Sequence, residues 1–179
     1  SILYRHSPEF EIRYFTYADD GALMTFRTKG AWVFQTKNKW KGELSAEYGR
    51  ENLRDTLSLV QDEVYVPPAQ YDNIAYTVDI TSPDSRSFYL NLLSESGPYF
   101  DGKRFSIRLQ PTWNVSRQLE MGATYSYDYV NFSEREQLLS NHIVGLKALF
   151  MLDTRFSVNA YIQYNTSENI ILTNLRLRY

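Results

Sequence analysis

His6 and His142 are the chain's two histidines, and cysteine is absent. Thiolate nucleophiles, disulfides and cysteine-ligated metals are thereby excluded. A histidine that binds a metal or activates a nucleophile needs a second ligand, a serine or a carboxylate within reach. Neither histidine has such a metal-ligand partner at helical or hairpin spacing. His142 follows Asn141 at the head of an alternating run, where a polar aromatic residue suits a membrane interface; a place in a hydrolase triad is the competing role. No Gly-x-Ser-x-Gly elbow, Walker loop or His-Glu-x-x-His pair is present. The pair Glu43 and Glu47 has the types that glycoside hydrolysis uses. Four residues along a strand separate them by roughly 13 Å, which is too far for either form of that reaction. Asp19-Asp20-Gly21 and Asp101-Gly102 offer oxygen ligands for calcium, but these residue types are first of all turn formers. Asn114, Asn131 and Asn165 open glycosylation sequons, tripeptides short enough to arise by chance. The residues thus predict no enzyme, no metal and no cofactor.

The charged residues are ordered by something else, a period of two. Phe105, Ile107, Leu109, Pro111, Trp113 and Val115 alternate with Ser106, Arg108, Gln110, Thr112 and Asn114. After Ser116-Arg117-Gln118, Leu119, Met121, Ala123, Tyr125, Tyr127 and Tyr129 alternate with Glu120, Gly122, Thr124, Ser126 and Asp128. Such alternation gives a strand one apolar and one polar face. Runs of roughly ten residues have the length that a tilted strand needs to cross a bilayer.

The same pattern recurs along the chain. Segment one (Phe10 to Tyr17) sets Phe10, Ile12 and Tyr14 against Glu11 and Arg13, then turns at Asp20-Gly21. Segment two puts Met24, Phe26, Trp32 and Phe34 opposite Thr25, Arg27, Lys29 and Gln35, and Gly30 predicts a bulge or bend. Segment three opposes Trp40, Leu44 and Tyr48 to Lys41, Glu43 and Glu47. From Arg50 to about Gln70 the pattern lapses, and Pro67-Pro68 forbids a central strand. Segment four carries Ile74, Tyr76, Val78 and Ile80 against Asp79, and segment five carries Phe88, Leu90 and Leu92. Beyond the central hairpin, segment eight alternates Val144, Leu146, Ala148 and Phe150 with Lys147. Segment nine runs from Phe156 to Tyr164 after the turn Asp153-Thr154-Arg155. Segment ten sets Thr173, Leu175, Leu177 and Tyr179 against Arg176 and Arg178.

Ten such segments predict an all-β chain, an antiparallel up-and-down transmembrane β-barrel forming one domain over 1–179 with a long irregular loop at about 50–70. The connections agree: short turns (37–39, 82–85, 116–118, 153–155) alternate with longer polar loops (50–70, 94–103, 131–141), as in outer-membrane barrels. The first and last connections are short and break the rule. A soluble antiparallel sheet with its charges in solvent is the competing fold.

The bulk properties fit. Of 179 residues 16% are aromatic, with 15 Tyr and 10 Phe, enough for girdles at two membrane interfaces. Trp32, Trp40, Trp113, Tyr127 and Tyr129 are the expected markers. The mean hydropathy of −0.45 does not oppose a barrel, whose lumen and loops dilute the average. A net charge of −2 and a pI near 5.7 argue against a nucleic-acid partner. The first residues, Ser1-Ile2-Leu3-Tyr4-Arg5, do not read as a signal peptide, so an exported protein would be represented here by a mature form or a fragment.

The polar faces collect Arg13, Arg27, Lys29, Glu43, Glu47 and Asp79 from the first half of the chain. Arg108, Glu120, Asp128, Lys147, Arg176 and Arg178 come from the second half. Both signs suit a wet lumen and could not face lipid. The expected function is a passive channel or uptake component for small polar solutes or glycans in a bacterial outer membrane. The alternative is a non-conducting anchor that presents loops or a sugar-binding domain to envelope or secretion partners; a hydrolase comes last. Residues 50–70 are expected to fold inward as a plug.

Certain runs carry a resemblance. They are Val66-Pro67-Pro68 with Tyr71, Ser85-Arg86-Ser87-Phe88, and Gly97-Pro98-Tyr99-Phe100-Asp101-Gly102-Lys103-Arg104. Gln163-Tyr164-Asn165 and the closing Asn174-Leu175-Arg176-Leu177-Arg178-Tyr179 complete them. Over about 66–179 the chain resembles a family of Gram-negative outer-membrane proteins. These join an N-terminal carbohydrate-binding-like sandwich (module family nine, DOMON-type) to a C-terminal β-barrel domain of unknown function. In that family the last run continues into an Arg-Pro-Gly turn and a further strand, so the resemblance implies part of a larger barrel. A terminal aromatic after Leu175 and Leu177 also suits the last strand of a barrel that closes with ten. The family offers no catalytic residues to carry over.

Overall fold

The computed structural model describes residues 2–60, 64–153 and 155–179. Expectations that fall on Ser1, on 61–63 and on Thr154 lie outside the described residues. Ten strands form one antiparallel sheet in which every strand pairs with its neighbours in chain order. They are β1 (Leu3–Thr16), β2 (Leu23–Thr36), β3 (Lys41–Asn52), β6 (Gln70–Thr81), β7 (Phe88–Tyr99) and β8 (Gly102–Asn114). β9 (Leu119–Phe132), β10 (Gln137–Met151), β11 (Ser157–Asn165) and β12 (Ile170–Arg178) complete the sheet. A separate hairpin, β4 (Leu57–Val60) and β5 (Val64–Val66), is inserted between β3 and β6.

Several boundaries differ from expectation. Segment one begins at Leu3, because Tyr4, His6 and Pro8 continue its outer face. Gly30 makes no bulge; it pairs in unbroken register with Phe10 and Ala46. Trp40 lies in the turn ahead of β3. The stretch 94–103 is strand except for Phe100-Asp101, and 131–141 is strand apart from Glu136 and a 3-10 turn at Ser133–Arg135. Only the β3–β6 connection is long, and it contains a hairpin where an irregular loop was expected. We call its side of the sheet the loop end and the opposite side the turn end.

Gly97 explains why the chain stays extended through a Gly-Pro sequence. Pairing of β6 with β7 stops at Tyr76 and Ser96, and beyond it the β7 backbone crosses close to β6. A Cβ at Gly97 would collide with the Ile74 carbonyl, and the residue's φ of +154° disfavours any side chain. Gly97→Ala is expected to lower the stability of the folded protein by about 1–3 kcal/mol, measured as the shift in its denaturant unfolding midpoint.

The register aligns the apolar residues of all ten strands on one face. Ile12, Trp32, Leu44 and Tyr76 lie there, as do Leu109, Tyr125, Leu146 and Leu175. This face is the exposed one: Ile12 is 60% exposed, Tyr76 55% and Leu175 69%. The polar face is the sheltered one, with Ser126 and Gly49 buried on it. Such an arrangement inverts that of a soluble sheet. The accessible surface is 12285 Å², against roughly 9,000 Å² expected of a compact monomer of this mass. The excess follows from a single layer with no second layer on its apolar side.

The sheet is open. β1 and β12 are its two edges and do not pair with each other, so ten strands do not close by themselves here. The strands are nevertheless staggered. A row of facing residues runs Gly30, Ala46, Tyr76, Ser96, Phe105, Tyr129, Ser140. It meets β2 six residues before Thr36 and β10 eleven residues before Met151. A stagger that grows across the sheet is the register that tilted barrel strands require.

Candidate functional site: the polar face and its docked hairpin

Alternation within strands, carried across the sheet by register, places all twelve charged positions singled out in the sequence on the polar face, where Arg13, Arg108, Lys147, Arg176 and Arg178 remain exposed. What they do there depends on cross-strand neighbours. Arg13 stands directly opposite Arg27, and Glu43 opposite Asp79. Like charges so placed repel, and each is relieved by another partner. Arg13 pairs with Glu11 at 2.6 Å, and Arg27 with Glu51 at 2.6 Å and Glu47 at 3.5 Å. Glu43 accepts from Lys29 Nζ at 2.5 Å, while Asp79 accepts from Asn91 Nδ2 at 2.9 Å. Further along, Lys147 reaches Glu120 at 3.2 Å, and Arg108 Nε donates to Ser126 Oγ at 3.3 Å. Arg176 and Arg178, on edge strand β12, have no ion pair among the described residues.

Sequence reasoning missed the centre of this network. Arg104 bridges Glu95 at 3.0 Å and Asp128 at 3.8 Å, 5.5 Å from the centroid of the Tyr99 ring. Reading 94–103 as a loop hid the facing parity of Glu95 and Arg104. Around these groups lies a cavity of about 520 Å³, lined among others by Arg13, Lys29, Glu47, Glu95 and Arg104. Its lining carries both signs, Arg13, Arg27, Lys29 and Arg104 against Glu47, Glu51 and Glu95.

The inserted hairpin covers the loop end of this face. Val64 and Val66 of β5 bury against Phe100, Val130 and Phe132, with Leu53, Leu59, Tyr71, Tyr99 and Leu139 packed around them. These five buried apolar residues are the only apolar core among the described residues. Arg135 locks the cluster: its guanidinium lies 4.1 Å from the Phe132 ring centroid and pairs with Asp101 at 2.6 Å. On the other side Arg54 forks onto Asp19 at 2.9 Å and Asp20 at 2.6 Å, 3.7 Å from the Tyr17 ring centroid. Tyr17 Oη donates to the Asn52 carbonyl at 2.6 Å. The insert is thus strapped to the β1–β2 turn and to the β9–β10 corner.

The Arg54 strap is expected to weaken in acid. The Ala22 N–H first, and then Arg54, hold the Asp20 carboxyl below the ordinary aspartate range. A carboxyl lowered by folding stabilises above its unfolded pKa, and that contribution is lost as pH falls through the lowered value. Leu53 N–H, bonded to the Ala69 carbonyl at 2.9 Å, is expected to lose hydrogen-exchange protection below about pH 4. The comparison is with pH 7, corrected for intrinsic exchange, and Asp20→Asn should show the same loss at pH 7.

The aromatic markers divide between the ends of the apolar face. Trp32 stacks near Phe34 (4.8 Å) and His6 (6.2 Å) toward the turn end, and Trp113 pairs with Phe88. Trp40 sits in the adjoining turn. Tyr127 and Tyr129 (6.4 Å) join Phe105 toward the loop end. His142 belongs to that cluster, 4.6 Å from the Tyr127 ring, with Nδ1 3.0 Å from Tyr125 Oη. A serine and a carboxylate do not converge on it, and no group of metal-ligating side chains occurs among the described residues. No family model matches the chain, and no curated protein shows significant similarity to it.

Proposed function

We propose that the chain is the wall of an outer-membrane β-barrel, non-enzymatic, serving as a channel or uptake component for small polar solutes. The observation that carries this reading is the inverted sheet: apolar faces exposed across ten strands, and the charges gathered on the opposite face, most of them in cross-strand pairs. Water does not support that arrangement over ten strands, whereas lipid outside and water inside do. The stagger of the register and the aromatic clusters toward both ends are consistent with it. Open edges cost several kcal/mol per unpaired backbone group in hydrocarbon, so in a bilayer β1 and β12 require partner strands. The resemblance over 66–179 adds glycans as candidate solutes and envelope proteins as candidate partners.

One observation favours a second reading, a non-conducting anchor. The insert lies across the loop end and the charges behind it satisfy one another, which leaves little reason for a solute to enter. A single experiment separates the readings. Protein from its native membrane is tested for heat-modifiable migration in detergent, then for conductance in planar bilayers with and without residues 53–69. A heat shift with conductance that rises on deletion supports the channel with a constricting insert. A heat shift without conductance in either form supports the anchor. Solubility without detergent and no shift would end the membrane reading.

A further inference from the structure

The two ends of the sheet differ in charge and, more tellingly, in pairing. The turn end has four connections, and each carries an exposed cation: Lys37 and Lys39, Arg86, Arg117 and Arg155. None of these five has an acidic partner among the described residues. The acids nearby are Asp84, held by Lys41 at 3.6 Å, and Asp153, engaged by the Arg155 and Phe156 backbone N–H groups. At the loop end the balance is the other way. Arg50, Arg54 and Arg135 are consumed in ion pairs and Lys103 alone of its exposed cations has no acidic partner among the described residues, while Asp55, Glu134, Glu136 and Glu168 stand exposed and unpaired.

The free cations adjoin the apolar face. Trp40 is in the same turn as Lys37 and Lys39, and Phe88 and Trp113 begin just beyond Arg86 and just before Arg117. Long cationic side chains at the margin of an apolar band reach outward with their charges while their stems lie on apolar surface. The groups they meet at such a margin are lipid head groups, and a negatively charged surface attracts each of them.

We propose that the turn end is a docking surface for anionic phospholipid head groups, with Lys37, Lys39, Arg86, Arg117 and Arg155 as its contacts. The inference rests on the membrane reading above and adds a lipid preference and an orientation. The turns face the leaflet that holds anionic phospholipid, and the acidic loop end faces away from it.

The test uses the protein reconstituted in phosphatidylcholine vesicles with spin-labelled phosphatidylglycerol or spin-labelled phosphatidylcholine. The fraction of each label immobilised at the protein surface is read by electron paramagnetic resonance. Several-fold preference for phosphatidylglycerol is expected at low salt. It should fall toward equality in 1 M NaCl, since surface charge is screened within about 3 Å there. The variant with all five residues changed to Gln should lose the preference, whereas Glu134→Gln with Glu136→Gln should keep it. Equal immobilisation of both labels by the unmodified protein overturns the proposal and leaves the membrane reading standing. So does a preference that survives in the five-Gln variant. No immobilised component with either label overturns the membrane reading and the proposal together.

Discussion

Leu146→Arg is expected to lower the stability of the protein in a bilayer by about 2–4 kcal/mol. Leu146 stands in the middle of β10 on the apolar face, opposite Ala123 and Ile162, and is 56% exposed. No protein layer covers it, so its environment is whatever solvent meets that face. In water, arginine at an exposed strand position changes stability by less than about 0.5 kcal/mol. In hydrocarbon the same guanidinium must keep its hydration by thinning the bilayer or be stripped of it. The neighbouring Lys147 points to the other face and supplies the control. Lys147→Leu breaks its pair with Glu120, a half-exposed contact worth about 1 kcal/mol at most. Guanidinium unfolding from phosphatidylcholine vesicles measures both. A cost below about 0.5 kcal/mol for Leu146→Arg would sink the assignment of this face to lipid.

Phe132→Ala is expected to undock the inserted hairpin at a cost of about 3–5 kcal/mol. Phe132 is 1% exposed and is one of the two largest fully buried side chains. It faces Val64 and Val66 on the insert and carries the Arg135 guanidinium on its ring. Arg135 pairs with Asp101 through a terminal nitrogen, but its Nε is buried without a hydrogen-bond partner, and the ring's π face adds a cation–π contact to the guanidinium. Truncation removes the apolar seat of β5 and the support of Arg135 in one step. The ten-strand ladder does not pass through the insert and should survive with unchanged far-ultraviolet circular dichroism. Protease cleavage within 53–69 is expected to accelerate by two orders of magnitude or more. Cleavage at the unmodified rate would show that the hairpin is held by something other than this cluster.

The strands were legible in the sequence because alternation is local: Phe105 to Tyr129 states its two faces residue by residue. Faces add across a sheet once pairing follows chain order, so the shared face of Arg13, Glu43, Arg108 and Arg176 could also be read. Pairing among the charges could not. Arg27 meets Glu51 and Arg104 meets Glu95 through register, which no single strand encodes. Gly97-Pro98 and Gly102 looked like loop because glycine and proline usually mark turns; at Gly97 the glycine serves a close backbone crossing. Gly30 misled in the opposite sense, sitting in plain strand. The β4–β5 hairpin was invisible since strands of four and three residues carry no periodicity, and the residues that bury it, Phe100, Val130 and Phe132, lie far along the chain, as does Gln137, whose Oε1 accepts from Tyr65 N–H.

The two free edges are unlike each other. β1 carries Pro8 and four charges, Arg5, Glu9, Glu11 and Arg13, features that discourage strand addition. β12 is exposed throughout, with Ile170, Ile171, Leu172, Leu175 and Leu177 on its two faces. β1 runs toward the loop end and β12 away from it, so one can add to the other antiparallel. The hydrogen bonds are the same whether the recipient edge belongs to the same chain or to another molecule. Ring closure and head-to-tail polymerisation are therefore competing outcomes of one reaction, divided by effective concentration alone. On the membrane reading proposed above, a sheet of this kind needs its edges kept apart as much as its apolar face covered, and a factor that shields only the latter would leave fibre growth open.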